Sequence, residues 1–214
     1  MIVKRISCQV KENQADAFSK YQEQWQPLNQ ITGFLGQVGG WSIKNQFTAC
    51  IVSFWQSKDD YDYFMDYVHD DIFLNMDQSN TYTAIDVELF NTVFEIPEVE
   101  DNIISVLKES HFIRTALCDV KDGRTSRFIE IQRSVWNPGL KMTGKMLGRE
   151  FSSSLKADNR FFVFTGWLSK EAHQEYLNLT FPALKNQAMP ELDLEEMIGE
   201  QFIIENSWRV IPLK

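Results

Sequence analysis

The sequence repeats itself, and no other property restricts its fold as much. The stretch W-Q-P-L-N-Q-I-T-G from Trp25 returns as W-N-P-G-L-K-M-T-G from Trp136. Trp25 and Trp136, Pro27 and Pro138, Thr32 and Thr143, and Gly33 and Gly144 all stand 111 residues apart. Cys8 and Cys118, and Phe18 and Phe128, are 110 apart, whereas Trp55-Gln56-Ser57-Lys58 and Trp167-Leu168-Ser169-Lys170 are 112 apart. An offset growing by single steps is what duplication followed by one-residue loop insertions leaves. The last strands are matched as Val87-Glu88 through Val93 with Ile204-Glu205 through Val210.

Each copy predicts the same elements. In the first, residues 2–10 alternate as a strand. Ala17, Phe18, Tyr21, Trp25 and Leu28 then recur at helical spacing, and Pro27 helps to end that helix. Two strands near 34–43 and 47–55 follow, then a helix from about 58 with Tyr61, Phe64, Met65, Val68 and Ile72 on its apolar face, then a strand at about 84–94. The second copy gives strand 111–120, helix 124–136, strands 147–156 and 160–168, helix 170–187 and strand 201–211. The order β-α-β-β-α-β is ferredoxin-like, with helices on one face of a four-stranded sheet. The bare face needs cover, and a second copy supplies it. The expected fold is α+β: two tandem ferredoxin-like units packed sheet to sheet as a single-chain barrel. The expected division is 1–96, a linker 97–110 that is helical if Val99, Ile103, Val106 and Leu107 share a face, and 111–214.

Charge and composition exclude several functions. Residues 1–100 hold six Lys/Arg against fifteen Asp/Glu, and residues 101–214 hold fifteen of each. A polyanion is repelled by the first half and meets no basic stripe in the second, so nucleic acid is not an expected partner. No apolar run approaches the roughly 20 residues that span a bilayer, and no signal-like start is present, so no membrane partner and a cytoplasmic location are expected. Three widely spaced cysteines, Cys8, Cys50 and Cys118, fit a reducing compartment and buried, unreactive thiols.

Four of the ten glycines crowd into GFLGQVGGW, residues 33–41. A phosphate cradle runs strand, glycine loop, helix. Here the glycines follow a helix and enter a strand, so Gly33 and Gly36 read as a turn, and Gly39 and Gly40 as a bulge or a close approach between the sheets. No nucleophile elbow, Walker loop or H-E-x-x-H zinc motif occurs. His69-Asp70-Asp71 could suggest a metal, yet adjacent helical residues diverge by about 100 degrees, and the segment reads as a solvated acidic face. His111 and His173 read as surface or packing residues. No metal and no cofactor are expected.

GFLG, a hairpin ending at Trp55, and Ser57-Lys58-Asp59-Asp60 opening a helix resemble the dimeric α+β barrel superfamily. That superfamily includes the antibiotic-biosynthesis monooxygenases and the haem-degrading monooxygenases. The tandem arrangement resembles a bacterial two-copy family of unknown function. The haem-degrading members use an asparagine on the first strand, a tryptophan on the second helix and a histidine about ten residues later. Those positions fall here at Ile6 or Ser7, Phe64 and Leu74, and on the second copy's helix at Tyr176 and Asn186. Leucine has no lone pair for an axial bond, which disfavours haem degradation.

The resemblance implies a ligand pocket between the helices and the sheet. Tyr21, Trp25, Trp55 and Phe64 in the first copy, and Trp136, Trp167 and Tyr176 in the second, are the aromatic candidates to line it. Arg149 and Glu150 are added because the first copy has Gln37 and Val38 there, so at most one pocket is expected to act. The leading expectation is a binding module for a small apolar or aromatic molecule. The alternatives are a cofactor-independent monooxygenase acting on a quinol-like aromatic, and a protein-interaction role without ligand. Arg124, Arg127 and Arg133 facing the acidic helix of Asp59, Asp60, Asp62, Asp66, Asp70 and Asp71 would allow a further homodimer.

Overall fold

The second repeat of the chain pairs its strands in the same register as the first. The structure, a computed structural model, describes residues 1–74, 77–96 and 103–213. The first repeat runs β1 (Ile2–Val10), α1 (Ala15–Glu23), β2 (Phe34–Trp41), β3 (Thr48–Trp55), α2 (Lys58–Tyr67), α3 (His69–Phe73) and β4 (Tyr82–Ile96). Helix α4 (Ile103–Glu109) leads to β5 (Phe112–Val120), α5 (Thr125–Ile131), α6 (Asn137–Lys141), β6 (Met146–Ser154), β7 (Arg160–Trp167), α7 (Lys170–Leu179), α8 (Phe181–Ala188) and β8 (Leu194–Ile203). Both second helices begin alike: Ser57 Oγ accepts from the Asp60 amide and Ser169 Oγ from the Ala172 amide, each at 3.1 Å, satisfying a backbone donor that the helix leaves free.

The eight strands follow the order β2-β3-β1-β4-β6-β7-β5-β8, all antiparallel. β4 is 15 residues long, enough to pair with β1 and then with β6 of the other repeat. The far edges meet through the bridge Ser42–Phe202, and the segment after β8 adds the bridge Gln37–Val210; together they close the barrel. The two seams obey one local two-fold. Ser154 Oγ donates to Glu88 Oε1 at 2.5 Å, and Ser42 Oγ to Glu200 Oε2 at 2.6 Å. Leu155 N reaches Leu89 O at 3.0 Å, and Ile43 N reaches Gln201 O at 2.9 Å. Lys156 and Lys44 then donate to the carbonyls of Val87 and Gly199.

Apolar side chains fill most of the barrel interior, with Val3, Phe54, Phe90, Ile113, Phe162 and Phe202 each fully buried. Helix α4 plugs one end of it through Ile103, Val106 and Leu107, three residues of the expected linker face; Val99 lies outside the described residues. Gly36 and Gly148, equivalent by register, admit this plug from opposite sides. A Cβ on Gly36 would stand 2.7 Å from Leu107 Cδ1, and one on Gly148 2.4 Å from Val106 Cγ2.

Three expectations need correction. The final strand is β8, Leu194–Ile203, not 201–211, so Val87 matches Gly199 rather than Ile204. β8 hides in the sequence because Phe202 is the one fully buried residue of its ten, and the others face solvent or a cavity instead of a packed core. Ile204 through Val210, the stretch matched to Val87 through Val93, lies beyond β8 in a tail whose Trp208 and Val210 pack on the first repeat. Second, helices 58 onward and 170–187 each break, at Val68 and Thr180. Third, helix 124–136 continues to Lys141 through a π-helical turn, Gln132–Trp136. That turn holds the first of the inserted residues: the offset steps from 110 at Gln132 to 111 at Trp136 inside a helix, not in a loop. As to the basic helix, Arg127 pairs with Asp193 of its own chain and Arg133 lies 5.2 Å from the Phe94 ring.

Candidate functional site

Side chains alternate across a strand, so every second residue of β6, β7, β5 and β8 faces the helices. The register sets four of them in one row: Arg149 opposite Thr165, Thr165 opposite Arg114, and Arg114 opposite Gln201. All four line a cavity of about 400 Å³ between the sheet and the helices of the second repeat. Thr165 organises the row, since its Oγ1 donates to Arg114 O at 3.0 Å and accepts from Trp167 Nε1 at 2.9 Å.

The walls are aromatic. Tyr176 packs on Trp167 with ring centroids 5.1 Å apart and meets Phe181 edge-on at 5.9 Å, and Phe181 stacks on Trp136 at 5.8 Å. The π-turn of the helix carries both Gln132 and Trp136 to this wall. Lys185 lies on the lining from α8, and Lys44 reaches it from the other repeat.

Burial sets the protonation of the polar groups. Arg149 is 4% exposed. It donates to Asn137 Oδ1 and Gln132 Oε1, and burial together with neighbouring Arg114 lowers its pKa to about 9. Burial and Arg114 bring His173 down to about 4, so its imidazole is neutral at pH 7. Burial pushes the Tyr176 phenol up to about 12. Cys118 also lines the cavity, but burial raises its thiol to about 11, which leaves no thiolate to act as nucleophile.

The first repeat has a smaller counterpart of about 210 Å³ at the equivalent place. Its row reads Gln37, Ser53, Lys4 and Leu89. Lys4, desolvated to a pKa of about 8, lies 5.5 Å from the Tyr61 ring. The space is partly closed by a chain of hydrogen bonds, Trp25 Nε1 to Gln78 Oε1 and Gln78 Nε2 to Gln22 Oε1, each at 3.1 Å.

Of the sequence candidates, Trp25, Trp55 and Phe64 line the first cavity, and Trp136, Arg149, Trp167 and Tyr176 the second. Tyr21 lines neither. Glu150 is a correction: as the neighbour of Arg149 on β6, opposite Phe164 of the barrel core, it points the other way and lines neither cavity. His69 also departs from the expected solvated face, since it lines the first cavity with its ring 5.5 Å from Trp25 and 5.4 Å from Phe73. Arg114, Gln132, His173 and Lys185 were missed. The register offset of 110 pairs Arg114 with Lys4, and this was the one signal that could have exposed it. Leu74, at the haem-ligand position, is 76% exposed. Among the described residues no three His, Cys, Asp or Glu side chains are grouped to hold a metal ion, and no helix is long and apolar enough to cross a membrane.

Glu150 yields a stability prediction. Its side chain is fully buried, Ser152 Oγ donates to Oε1 at 3.0 Å, Oε2 has no partner, and burial raises its pKa from 4.5 to about 8. A carboxyl with a raised folded pKa binds its proton more tightly folded than unfolded, so stability is fullest below pH 4.5 and declines toward pH 8. Glu150→Gln is expected to gain a few kcal/mol over wild type at pH 8.5 and almost nothing at pH 4.5, read from urea midpoints. Equal gains at both values would refute the assignment.

Residues 2–90 match the family described as "Domain of unknown function (DUF4937)". The uncharacterized protein YdbC of Bacillus subtilis (strain 168) is 39% identical over 92 residues, covering 42% of this chain and 77% of YdbC. Among solved structures, a monooxygenase candidate from Lactobacillus acidophilus NCFM aligns with TM-score 0.74 at 13% identity, over 98% of this chain and 95% of the other. One from Fusobacterium nucleatum aligns with TM-score 0.76 at 12% identity, over 95% and 91%. An anthrone oxidase-like protein aligns with TM-score 0.64 at 9% identity, over 96% and 91%. Likeness at these identities concerns the fold. The chain has the fold of a dimeric α+β barrel built from two tandem copies, and through its first repeat, the part matched by the domain of unknown function DUF4937, it belongs to the same family as YdbC.

Proposed function

We propose that the chain binds a small aromatic or apolar molecule in the helix-side cavity of its second repeat. The observation that carries this reading is a space of about 400 Å³ with aromatic walls and a polar row at its floor. Binding sites for small molecules combine these features: apolar walls supply affinity and a few fixed polar groups supply orientation. The smaller first cavity, crossed by the Gln22–Gln78–Trp25 chain, is the vestigial or more selective of the two.

Calorimetric titration with 2-naphthol tests the site. Binding is expected in wild type, and Ala116→Phe, which builds a ring into the lining from β5, is expected to weaken it at least tenfold. Unchanged affinity in that variant would move the site elsewhere, and absence of binding at millimolar concentration would remove the proposal.

A second reading is cofactor-free oxygenation of an electron-rich aromatic in the same cavity. Arg114 and Arg149 favour it, because cations beside a phenol stabilise the phenolate, the form that gives electrons to dioxygen. Protein-dependent oxygen uptake with a panel of quinols, lost in Arg149→Gln, is the expected result; uptake equal to the protein-free rate would refute it.

A further inference from the structure

The second cavity carries positive charge that its own lining does not balance. Arg149 meets only neutral oxygens, Asn137 Oδ1 and Gln132 Oε1, and its Nε has no partner. Arg114 stands two strands away on the same face, and among the described residues neither arginine has a carboxylate within ion-pair distance. Glu200 is the acid on the described lining, and it accepts the Ser42 hydroxyl at the seam. Two further cations, Lys185 and Lys44, complete the lining.

An arginine removed from water without a counter-ion is costly, and a like charge nearby raises that cost. Packing alone does not require it, since the first repeat builds the same fold with Gln37 at that place. The pair of guanidiniums also has suitable geometry. Strands two apart in a sheet separate their Cα atoms by about 10 Å, and two arginine side chains easily converge across that gap on one planar anion. Guanidinium binds carboxylate through paired, charge-assisted hydrogen bonds.

We propose that the second cavity receives a small aromatic carboxylate, its ring against Trp136, Tyr176 and Phe181 and its carboxylate between Arg149 and Arg114 above Thr165. The assignment rests on the proposed aromatic site and adds the charge of its occupant. Neutral aromatics of the same shape enter the same space and leave the arginines unpaired.

The test is calorimetric titration of 2-naphthoate and its methyl ester into wild type, Arg149→Gln and Arg114→Gln at pH 7. The acid is expected to bind wild type at least tenfold more tightly than the ester. Each variant should lose most of that preference, read as the ratio of acid to ester affinity within the same variant. Arg114 is only half-buried, so its variant keeps the experiment open if Arg149→Gln fails to fold by circular dichroism. Equal wild-type affinities for acid and ester would overturn the anion assignment and leave the aromatic site standing. A preference that survives in both variants would also overturn it. Binding of neither probe at millimolar concentration would overturn both readings.

Discussion

A Trp208→Ala variant is expected to melt roughly 10 °C below the wild-type chain, the shift that a loss of about 3–4 kcal/mol produces in a domain of this size. Trp208 is fully buried although it lies beyond the last strand, β8. Its ring packs edge-on against Phe18 at 5.6 Å and Trp41 at 5.2 Å, and its Nε1 donates to Ser19 Oγ at 2.9 Å. All three partners belong to the first repeat. The tail is held on both sides of Trp208: Glu205 N donates to Gly39 O at 2.9 Å before it, and after it Arg209 donates to the carbonyls of Leu107 and Ser110 at 2.9 Å and Val210 exchanges backbone hydrogen bonds with Gln37. Truncation of the indole therefore weakens the contact between repeats and leaves a cavity in the first. A melting point within a degree of wild type would mean that the tail adds nothing to the barrel.

Gly40→Val should cost more locally, on the order of 4 kcal/mol, and should open one seam before the other. A Cβ at Gly40 would stand 2.1 Å from the Ile203 carbonyl oxygen and 3.1 Å from Phe202 Cδ2. The obstacle is backbone, and it cannot retreat because Ile203 is registered against Phe112 and the next amide, Ile204 N, donates to His111 O at 3.1 Å. Hydrogen exchange gives the readout. The amides of Ile43 and Glu205, which bond Gln201 O and Gly39 O at 2.9 Å, should lose protection, while Leu155, bonded to Leu89 O at the other seam, should keep it. Equal loss at both seams would contradict a local origin. The other seam tolerates a side chain at the matching position, Ser152, where β4 shifts register between Thr92 and Phe94.

Much of this architecture is legible in the sequence because duplication leaves paired residues at nearly constant spacing. Trp55 and Trp167 mark the ends of matching strands, Ser57 and Ser169 cap matching helices, and Gly33 and Gly144 mark matching turns before the second strand of each copy. The plug that requires Gly36 and Gly148 was not legible, because nothing local ties α4 to two strands 112 residues apart. Strand β8 was misplaced for a related reason. Strand reading depends on one buried face, and residues of β8 border a cavity on theirs, so the strand was placed instead at 201–211, in the tail.

The candidate site divides along the same line. The aromatic walls could be named early, since Trp136, Trp167 and Tyr176 recur where the first repeat has Trp25, Trp55 and Phe64. Arg149 also stood out, because the copies diverge there. Its neighbour Glu150 could not be separated from it without knowing which face of β6 meets the helices, and a one-residue difference along a strand reverses that face. Arg114 passed unnoticed for want of any neighbour in sequence.

By itself the sequence determined the local order of strands and helices, their duplication, and the residue types available to each repeat, because these depend on periodicity and capping within a few residues. Tertiary structure alone decided what came together across long separations: which edges close the barrel, where the tail docks, and that Arg149, Thr165, Arg114 and Gln201 stand in one row. The physical reason is that register between strands is a property of pairs. A chain read one residue at a time carries the side chains of both partners, but only the hydrogen-bonded sheet fixes which of them face one another and the same cavity.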